Sequence, residues 1–503
     1  MFPSQREGEV KEAFTGERLD TITHWLSVFI SAPMLTGKCD VKYDPLKSES
    51  EVKASNKRIC ALKIIYSSAI FVVVFFIIFI SKLDDSNTDN DRPKMANVII
   101  QHINHTSTSP PALKACGVQV NNSSVIKVGT LHTYVTGSYM DHRSEDKQIK
   151  TIAIVLRNED PTYKCVMCCN GRNVTTLAQY TIHGDHFGFD YGTATITCQI
   201  RNLCKSPTHV ALTASEISDR ITSFLPIRNI DFPKVFPYTF TICISVMYNY
   251  KNVLNLVESM EMFRLLGAQR VVIYKTDCDS DTQKILDYYV KKGFVEIIPW
   301  TIKKHISVSN GWRKDLSAGQ LHYYGQIPAL NDCVHRYMYQ SHYVALHDLD
   351  ELILPLKVKT WTELLPQLEE IYGTSVGFEF ENNAFPFIAK AHLDYEQDTW
   401  KDVQGTNILN YIERVPNNPN SFNNYKIIVN PRLVYQATVH GLLDPSSATV
   451  RVDNSIARMY HSKNFSYPTN TNLIRDDHLW VYANDLIPAV SKVLHDCGLV
   501  GKA

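Results

Sequence analysis

The chain has 503 residues, and its 51 basic and 51 acidic side chains give a formal net charge of zero. This length allows two or more folded domains, each large enough to bury a core of its own. The balanced charge, and a sequence without a large basic patch, exclude the usual electrostatic signature of a nucleic-acid-binding protein.

The first feature in chain order is an uncharged apolar run from Ile64 to Ser81, about as long as a bilayer is thick. Basic residues cluster before this run and aspartates follow it, so the positive-inside rule places the N-terminal tail in the cytoplasm. A cleaved signal peptide is the alternative, but the run starts too far from Met1 and exceeds a usual signal-peptide core. We therefore predict a cytoplasmic tail over 1–58, a transmembrane signal-anchor helix over 59–81, and a type II membrane protein of the secretory pathway.

Two further patterns agree with a luminal position for the rest of the chain. Sequons for N-glycosylation follow the apolar run at Asn104, Asn121, Asn122, Asn173 and Asn464. Most of the cysteines also follow it, and in an oxidising compartment they predict several disulfide bonds. The cluster Cys165-x-x-Cys168-Cys169, with Cys198 and Cys204 nearby, is also compatible with zinc, but extracytoplasmic cysteines more often pair with one another.

Composition divides the luminal part into three segments. Residues 82–125 are rich in Ser, Thr, Asn and Pro, which predicts a flexible stem. Residues 126–236 contain short β-like runs such as Thr151–Leu156, separated by turn residues such as Asn170-Gly171. We predict a small β-rich accessory module there, which either binds sugar or gives structural support.

From residue 237 to 503 strand-like and helix-like segments alternate. The strand-like runs are Tyr238–Val246, Arg270–Tyr274 and Val295–Trp300, and helical spacing appears at 253–266, 282–292 and 326–339. Alternation at this spacing predicts βαβ units and a mostly parallel sheet. Ligands bind such sheets beyond the carboxyl ends of the strands.

Asp348 and Asp350 follow the hydrophobic run His342–Leu346 at one such strand end. Carboxylates two residues apart on a strand project to the same side, and their repulsion needs a cation or hydrogen-bond donors. Two such oxygen ligands suit Mg²⁺ or Mn²⁺, which also bind substrate phosphates. The pattern predicts an Asp-x-Asp site for a metal and a nucleotide sugar, with Glu351 facing the opposite way. A solvated strand end is the alternative.

Several motifs, taken in order, resemble those of glycosyltransferase family 92. They are Gly325–Cys333, His347–Pro355, Lys426–Pro431 and Val439-His440-Gly441. The opening of a GT-A domain is resembled by two earlier segments, Phe240–Asn249 and Val271–Tyr274. The resemblance covers about residues 237–470. It implies an α/β fold with a GT-A catalytic domain, Rossmann-like and with a mostly parallel sheet. The β-rich luminal module would precede this domain, and a single N-terminal transmembrane helix would anchor the chain.

The same resemblance implies an activity. Family 92 members are inverting, and the characterised reaction transfers galactose from UDP-galactose, in animal members in β1,4 linkage to the core fucose of N-glycans. We therefore expect a metal-dependent β-1,4-galactosyltransferase of the Golgi membrane that uses Mn²⁺ or another divalent cation. The same fold with another UDP-sugar donor, or a non-catalytic glycan-binding membrane protein, is the alternative. The sequence does not predict the oligomeric state.

Position and resemblance together suggest binding roles. Asp350 is the expected direct metal ligand, Asp348 is expected to bind the donor ribose or the metal, and His440 resembles the histidine that completes the metal shell. His461 is the competitor of His440, and a packed histidine is the alternative for either.

Donor-binding candidates lie at the ends of the first two strands and at the start of the later helix. Tyr248, Asn249 and Asp277 are candidates for contact with the nucleotide, and Gln326 for contact with the donor sugar. For Asp277 and its neighbour Asp279, a turn or helix-capping role is the alternative.

An inverting transfer also needs a general base that takes the proton of the acceptor hydroxyl. Our candidates are Glu381 and Asp477, with Glu379 and Asp476 as alternatives that the sequence does not separate.

Overall fold

The computed structural model describes residues 114–200, 204–214, 221, 223–387, 400–444, 448–465, 467–468 and 471–500. The predicted tail, the apolar segment 59–81, most of the predicted stem and Asn104 lie outside the described residues. Within the described ranges, no helix has the length and apolar character needed to cross a membrane. All described residues belong to one compact unit.

The first part of this unit consists of strands. These are β1 (Lys114–Ala115), β2 (Val118–Gln119), β3 (Ile126–Lys127), β4 (Thr133–Asp141), β5 (Gln148–Leu156), β6 (Tyr163–Cys169), β7 (Arg172–Ile182), β8 (Tyr191–Gln199), β9 (His209–Ala214) and β10 (Leu225–Arg228). The main sheet has the order β10-β9-β6-β7-β8-β5-β4-β3, and β10 also pairs with β4 in parallel. That last pairing closes seven strands into a barrel. Alternate side chains, among them Val135, Ile149 and Ile196, fill its interior.

Among the described residues, three disulfide bonds have one cysteine on β6, and a fourth lies in the later part of the chain. The pairs are Cys116–Cys168, Cys165–Cys198, Cys169–Cys204 and Cys243–Cys333. The prediction of disulfides is confirmed. The zinc alternative is wrong, because every cysteine proposed for that cluster is bonded to another cysteine.

The second part contains five helices and the remaining strands of the described residues. In chain order these are β11 (Tyr238–Met247), α1 (Val253–Leu265), β12 (Arg270–Lys275), α2 (Ser280–Lys291), β13 (Val295–Pro299), α3 (Gln326–Tyr337), β14 (Ser341–Leu346), β15 (Glu351–Pro355), α4 (Trp361–Tyr372), β16 (Gly377–Phe380), β17 (Asn382–Pro386), β18 (Glu413–Arg414), β19 (Lys426–Val429), β20 (Ala437–Thr438), β21 (Gly441–Leu442), β22 (Thr449–Arg451), β23 (Ala457–Lys463), β24 (Ile474–Arg475) and α5 (Ala483–Asp496).

These strands form a mixed sheet and a smaller sheet beside it. The seven-stranded sheet has the order β13-β12-β11-β14-β19-β16-β22, in which β19 runs antiparallel to both of its neighbours. Strands β15, β23 and β17 make a separate three-stranded sheet. Strand β11 carries apolar side chains on both faces because both are covered: Ile242 and Ile244 pack in one core and Cys243 in the other.

The predicted fold class is therefore wrong. We expected a mostly parallel, Rossmann-like GT-A domain after a small β-rich module; the N-terminal transmembrane helix of the same prediction lies outside the described residues. The described residues are instead mostly sheet, with a closed seven-stranded barrel, a mixed sheet and few helices. The prediction failed because periodicity shows where strands lie, whereas closure depends on pairing between distant strands, such as Ile227 with Ser138.

Helix α3 connects the barrel to the mixed sheet. All of its residues are buried, and Asp332 lies at the centre of the contact. One carboxylate oxygen of Asp332 accepts a hydrogen bond from the Tyr139 hydroxyl of the barrel at 2.6 Å, and the other accepts one from Tyr274 of the sheet at 2.6 Å. Arg336 pairs with the same carboxylate at 2.8 Å. The barrel is thus attached to the helix that starts at Gln326.

The predicted glycosylation sites within the described ranges are accessible to different degrees. Asn122, Asn173 and Asn464 are exposed, and Asn121 is half-buried. Glycosylation of these residues stays a prediction.

Candidate functional site

Asp348 and Asp350 lie in the turn that links β14 of the mixed sheet to β15 of the three-stranded sheet. The backbone N–H of Asp348 donates a hydrogen bond to Oε2 of Glu351 at 2.8 Å. Glu351 therefore folds back toward the turn, which differs from the extended strand we predicted, where it would face away. The junction of the two sheets brings three carboxylates together.

A buried lysine, Lys426 at the start of β19, compensates this negative charge. Its side chain is 2% exposed, and Nζ lies 3.2 Å from Oδ2 of Asp348 and 3.3 Å from Oε2 of Glu351. Burial opposes the charged form of the lysine, but the two carboxylates outweigh this effect and raise its pKa. Burial also keeps the pKa of Glu351 above its usual value, so Asp348 is the main ionised partner of Lys426.

Hydrogen bonds orient the other oxygen of Asp348. Oδ1 accepts from the Ser245 hydroxyl at 3.0 Å and from Nε2 of Gln326 at 3.4 Å. Gln326 also donates to the Ser245 hydroxyl at 2.9 Å. Burial alone would raise the pKa of Asp348, but the charge of Lys426 and its hydrogen bond hold it below its usual value. Asp348 is thus a fixed, ionised carboxylate, and Gln326 lies beside it.

His461 is the histidine that contacts the carboxylates. It pairs with Glu351 across β23 and β15, and its Nε2 lies 3.5 Å from Oδ2 of Asp350. Its Nδ1 lies 3.1 Å from the side-chain nitrogen of Asn382 and 3.6 Å from Oε1 of Glu351. These contacts fix the imidazole ring at the edge of the carboxylate cluster.

His440 lies in the turn between β20 and β21, close enough for the charges of Lys426 and Asp348 to act on it. Burial and the positive charge of Lys426 lower its pKa to about 3, so the ring is neutral. Its Nδ1–H donates to the carbonyl oxygen of Tyr425 at 3.1 Å, which leaves Nε2 as the basic nitrogen. Either His440 or His461 has the chemistry of a metal ligand, so the competition between them stays open.

The donor types at this junction fit a hard divalent cation: two aspartates, a glutamate and an imidazole outnumber the lysine that compensates them. Over the described ranges, however, no three or more His, Cys, Asp or Glu side chains are grouped closely enough to hold a metal ion. The carboxylate contacts that are formed go to Lys426 and His461 instead. The residues thus fit the ion by chemistry, while their positions do not form a coordination shell.

A small cleft opens beside Asp348. Its walls come from the end of β11, the start of α3 and the turn before it, and include Ser245, Tyr248, Tyr323 and Gln326. The ring of Tyr248 stacks on Tyr324 with 3.8 Å between the centroids. The structure therefore brings three predicted donor-binding residues, Tyr248, Gln326 and Asp348, to one cleft.

Asn249 and Asp277 lie together near this cleft, in the loops after β11 and β12. The backbone N–H of Asn249 donates to the Asp277 carboxylate, and Asn249 has a left-handed backbone with φ of 44°. Lys303 pairs with Asp277 at 3.7 Å. Asp279 caps α2 by accepting from the backbone of Thr282 at 2.8 Å, the capping alternative we considered.

An unusual turn forms one wall of the cleft. Tyr323, Tyr324 and Gly325 have φ values of 38°, 54° and 76°, three left-handed residues in succession before α3. For a residue other than glycine this conformation costs about 1–3 kcal/mol, and such strain is concentrated at functional sites. The turn places two tyrosine rings against Tyr248.

The two predicted general bases, Glu381 and Asp477, contact residues outside the Asp348 cluster. Glu381 accepts a hydrogen bond from the side chain of Asn454, and the half-exposed Asp477 pairs with Arg475 at 2.9 Å. The alternative Glu379 lies beside the turn that carries His440, because its Oε1 is 3.6 Å from the position that a Cβ on Gly441 would take. Gly441 directly follows His440.

Sequence reasoning missed several residues of this site. Lys426, Ser245 and Tyr323 were given no role, although each contacts Asp348 or lines its cleft. Lys463 was also missed, although it follows His461 by two residues on β23 and so faces the same side. A charged residue at the head of the apolar run Lys426–Val429 is the one signal that pointed to a buried ion pair.

Comparisons with known proteins agree with the motif resemblance. The family model described as Glycosyltransferase family 92 matches residues 238–492, half of the chain. The chain is 21% identical over 358 residues to the Caenorhabditis elegans protein named "Beta-1,4-galactosyltransferase galt-1", covering 67% of this chain and 75% of that protein. It is 30% identical over 160 residues to "Glycosyltransferase family 92 protein F13G3.3" of the same organism, covering 31% of each chain.

Proposed function

This chain belongs to glycosyltransferase family 92, and on that premise we propose that it transfers galactose from UDP-galactose, in β1,4 linkage and with inversion, to a glycan acceptor. It is a glycosyltransferase. The observation that carries the finer proposal is the Asp348–Lys426–Glu351 cluster, whose Asp348 lines the cleft together with Tyr248 and Gln326. The name of the galactosyltransferase relative supports the donor and the linkage.

The donor nucleotide would lie along the wall formed by Tyr248 and the loops of Asn249 and Asp277. Planar rings and hydrogen-bonding groups at strand ends are suited to a base and a ribose. Gln326 and Asp348 would orient the donor sugar or ribose, since Ser245 already fixes both side chains. Pre-organised side chains of this kind lower the entropy that is lost on reaching the reactive geometry.

Asp348 and Asp350, with His440 or His461, would hold Mn²⁺ or another divalent cation. A bound cation would stabilise the negative charge that develops on the UDP leaving group. Lys426 keeps Asp348 ionised and oriented in the free protein. Lys463, on the same side of β23 as His461, would add positive charge near the diphosphate.

Of the four carboxylates considered as general base, we propose Glu379. Its side chain is 15% exposed and lies beside Gly441, next to His440. Nε of Arg451 lies 3.7 Å from Oε2 of Glu379, and Oε1 is the oxygen beside Gly441. Glu381 and Asp477 are engaged by Asn454 and Arg475, respectively.

The acceptor we propose is the core fucose of N-glycans, and the compartment is the Golgi lumen. Both rest on the family, and the disulfides in the barrel favour an oxidising compartment of this kind.

The test is a donor and acceptor screen with the full-length protein. UDP-galactose, UDP-glucose and UDP-N-acetylglucosamine are each offered with Mn²⁺ to an array that includes core-fucosylated N-glycans. The proposal expects galactose transfer to fucose, identified by mass spectrometry and linkage analysis. Transfer from another donor would replace the donor assignment, and inactivity with all donors would contradict the proposed function.

A further inference from the structure

Exposed apolar side chains lie beside the cleft on two segments that come from different parts of the chain. Trp312 is 56% exposed and Leu316 is 71% exposed, both in the segment between β13 and α3. Phe187, in the barrel loop between β7 and β8, is 37% exposed. The rings of Phe187 and Trp312 meet edge to face, with 6.4 Å between their centroids. Exposed apolar groups that cluster in this way mark binding surfaces.

A row of rings connects this surface to Asp348. Phe187 stacks on His322 with centroids 4.3 Å apart and planes 14° apart. His322 contacts its neighbour Tyr323 edge to face at 6.0 Å, and Tyr323 lines the cleft together with Asp348. The exposed rings are therefore an extension of the cleft.

His322 is a buried, uncharged aromatic ring in this row. It is 4% exposed, and neither of its ring nitrogens has a hydrogen-bond partner among the described residues. Burial lowers its pKa to about 4, so the ring carries no charge at neutral pH. It stacks against one face of Phe187, whose side chain stays 37% exposed.

The barrel and the segment before α3 are held together at this point. The backbone N–H of Tyr191 donates to the carbonyl oxygen of Gln320 at 2.9 Å, and Lys314 pairs with Asp190 of the barrel loop. Phe187 has a left-handed backbone with φ of 50°, which the surrounding contacts must maintain. The two exposed rings are thus fixed relative to the cleft.

We propose that Phe187 and Trp312 form a stacking platform for the acceptor glycan, a subsite that rests on the proposed function. One face of a pyranose ring presents C–H groups that pack on an aromatic face, while its hydroxyls stay at the edge in water. A saccharide leaving the cleft past Tyr323 would meet Phe187 first and Trp312 next. The occupant is a neutral oligosaccharide, since the row of rings itself carries no charge.

The test compares Trp312→Ala and Phe187→Ala with Phe232→Ala in the full-length protein. Phe232 is a matched control because it is 55% exposed and contacts Tyr339, just beyond the opposite end of α3. With UDP-galactose as donor and a core-fucosylated N-glycan as acceptor, we expect each platform variant to raise the acceptor KM at least tenfold. The KM for UDP-galactose and its slow hydrolysis by water should not change, and Phe232→Ala should behave like the wild type.

An acceptor KM within twofold of the wild type in both platform variants would overturn the proposal while leaving the proposed function intact. A raised KM for UDP-galactose would overturn it as well, because the rings would then serve the donor. If the wild type transfers no sugar, calorimetric titration with the same glycan still decides the matter: binding that Trp312→Ala abolishes supports the platform, and unchanged or absent binding contradicts it.

Discussion

The Nζ atom of Lys426 lies 3.2 Å from Oδ2 of Asp348, although the two residues are 78 positions apart in the chain. This ion pair joins the first residue of β19 to the turn between the two sheets. It fixes the carboxylate on which the proposed site depends, and it couples the stability of the fold to the chemistry of the cleft.

Lys426→Met should destabilise the protein and abolish transfer. Removing one partner of a buried ion pair leaves an uncompensated carboxylate, here Asp348, at a cost of about 3–5 kcal/mol. Urea unfolding measures the change in the free energy of unfolding. Lys492→Met is the control, because Lys492 forms an exposed pair with Asp496 and its loss should change nothing measurable. Equal stability of the two variants would show that the buried pair does not form.

Asp350→Asn should abolish galactose transfer and leave the fold intact, since the amide keeps the size of the side chain and removes the charge that would bind a cation. Asp477→Asn, at a half-exposed carboxylate that pairs with Arg475, is the control and should stay active. Initial rates with added Mn²⁺, and thermal unfolding with and without Mn²⁺, measure both properties. Full activity of Asp350→Asn would remove this residue from the proposed metal site.

Glu379→Gln should reduce kcat by at least about a hundredfold, the usual contribution of a general base, with a smaller effect on KM. Glu381→Gln serves as the comparison, because its carboxylate contacts Asn454 and should contribute little. Steady-state kinetics with UDP-galactose and the glycan acceptor gives kcat and KM for both variants. A larger loss of kcat in Glu381→Gln than in Glu379→Gln would assign the general base to Glu381.

Tyr139→Phe should lower the free energy of unfolding by about 1–3 kcal/mol, since it removes a buried donor to a charged acceptor, Asp332. Tyr180→Phe is matched in chemistry, but its hydroxyl bonds Asp160 at the surface, so a smaller loss is expected. Urea unfolding measures both. If the two losses were the same, the contact between barrel and helix would not be a main source of stability.

Stability should fall in acid because the pKa of the buried His335 is lowered to about 4 by burial, against an unfolded value of about 6.5. Below about pH 6.5 the unfolded chain takes up a proton that the folded chain does not, so the stabilising contribution is complete above that pH and is lost as pH falls toward 4. The slope is at most about 1.4 kcal/mol per pH unit for one histidine. His335→Gln should flatten the pH dependence of urea unfolding, and an unchanged slope would contradict the assignment.

Local pattern was enough to place the strands and helices around β11, β12 and α3, because apolar alternation and helical spacing act over a few residues. It was not enough for the closure of the barrel. The parallel contact of β10 with β4 joins segments about 90 residues apart, and no local signal encodes it. The antiparallel direction of β19 could not be predicted either, because it also depends on how separate strands pair.

The candidate site shows the same division. Asp348 and Gln326 could be proposed from motifs because they lie at the ends of recognisable elements. Their partner Lys426, and the fold-back of Glu351, depend on how two sheets meet, which is a property of tertiary packing. The side chains that surround Asp348 were therefore predicted only in part.

The most direct test of the central claim is the release of UDP from UDP-galactose in the presence of a core-fucosylated N-glycan, measured for the wild type and for Asp350→Asn with Mn²⁺ or with EDTA. We predict galactosylated glycan and UDP in equal amounts from the wild type with Mn²⁺, and neither product after EDTA treatment or in the variant. Transfer that continues unchanged in EDTA and in Asp350→Asn would contradict a metal-dependent galactosyltransferase site at this turn.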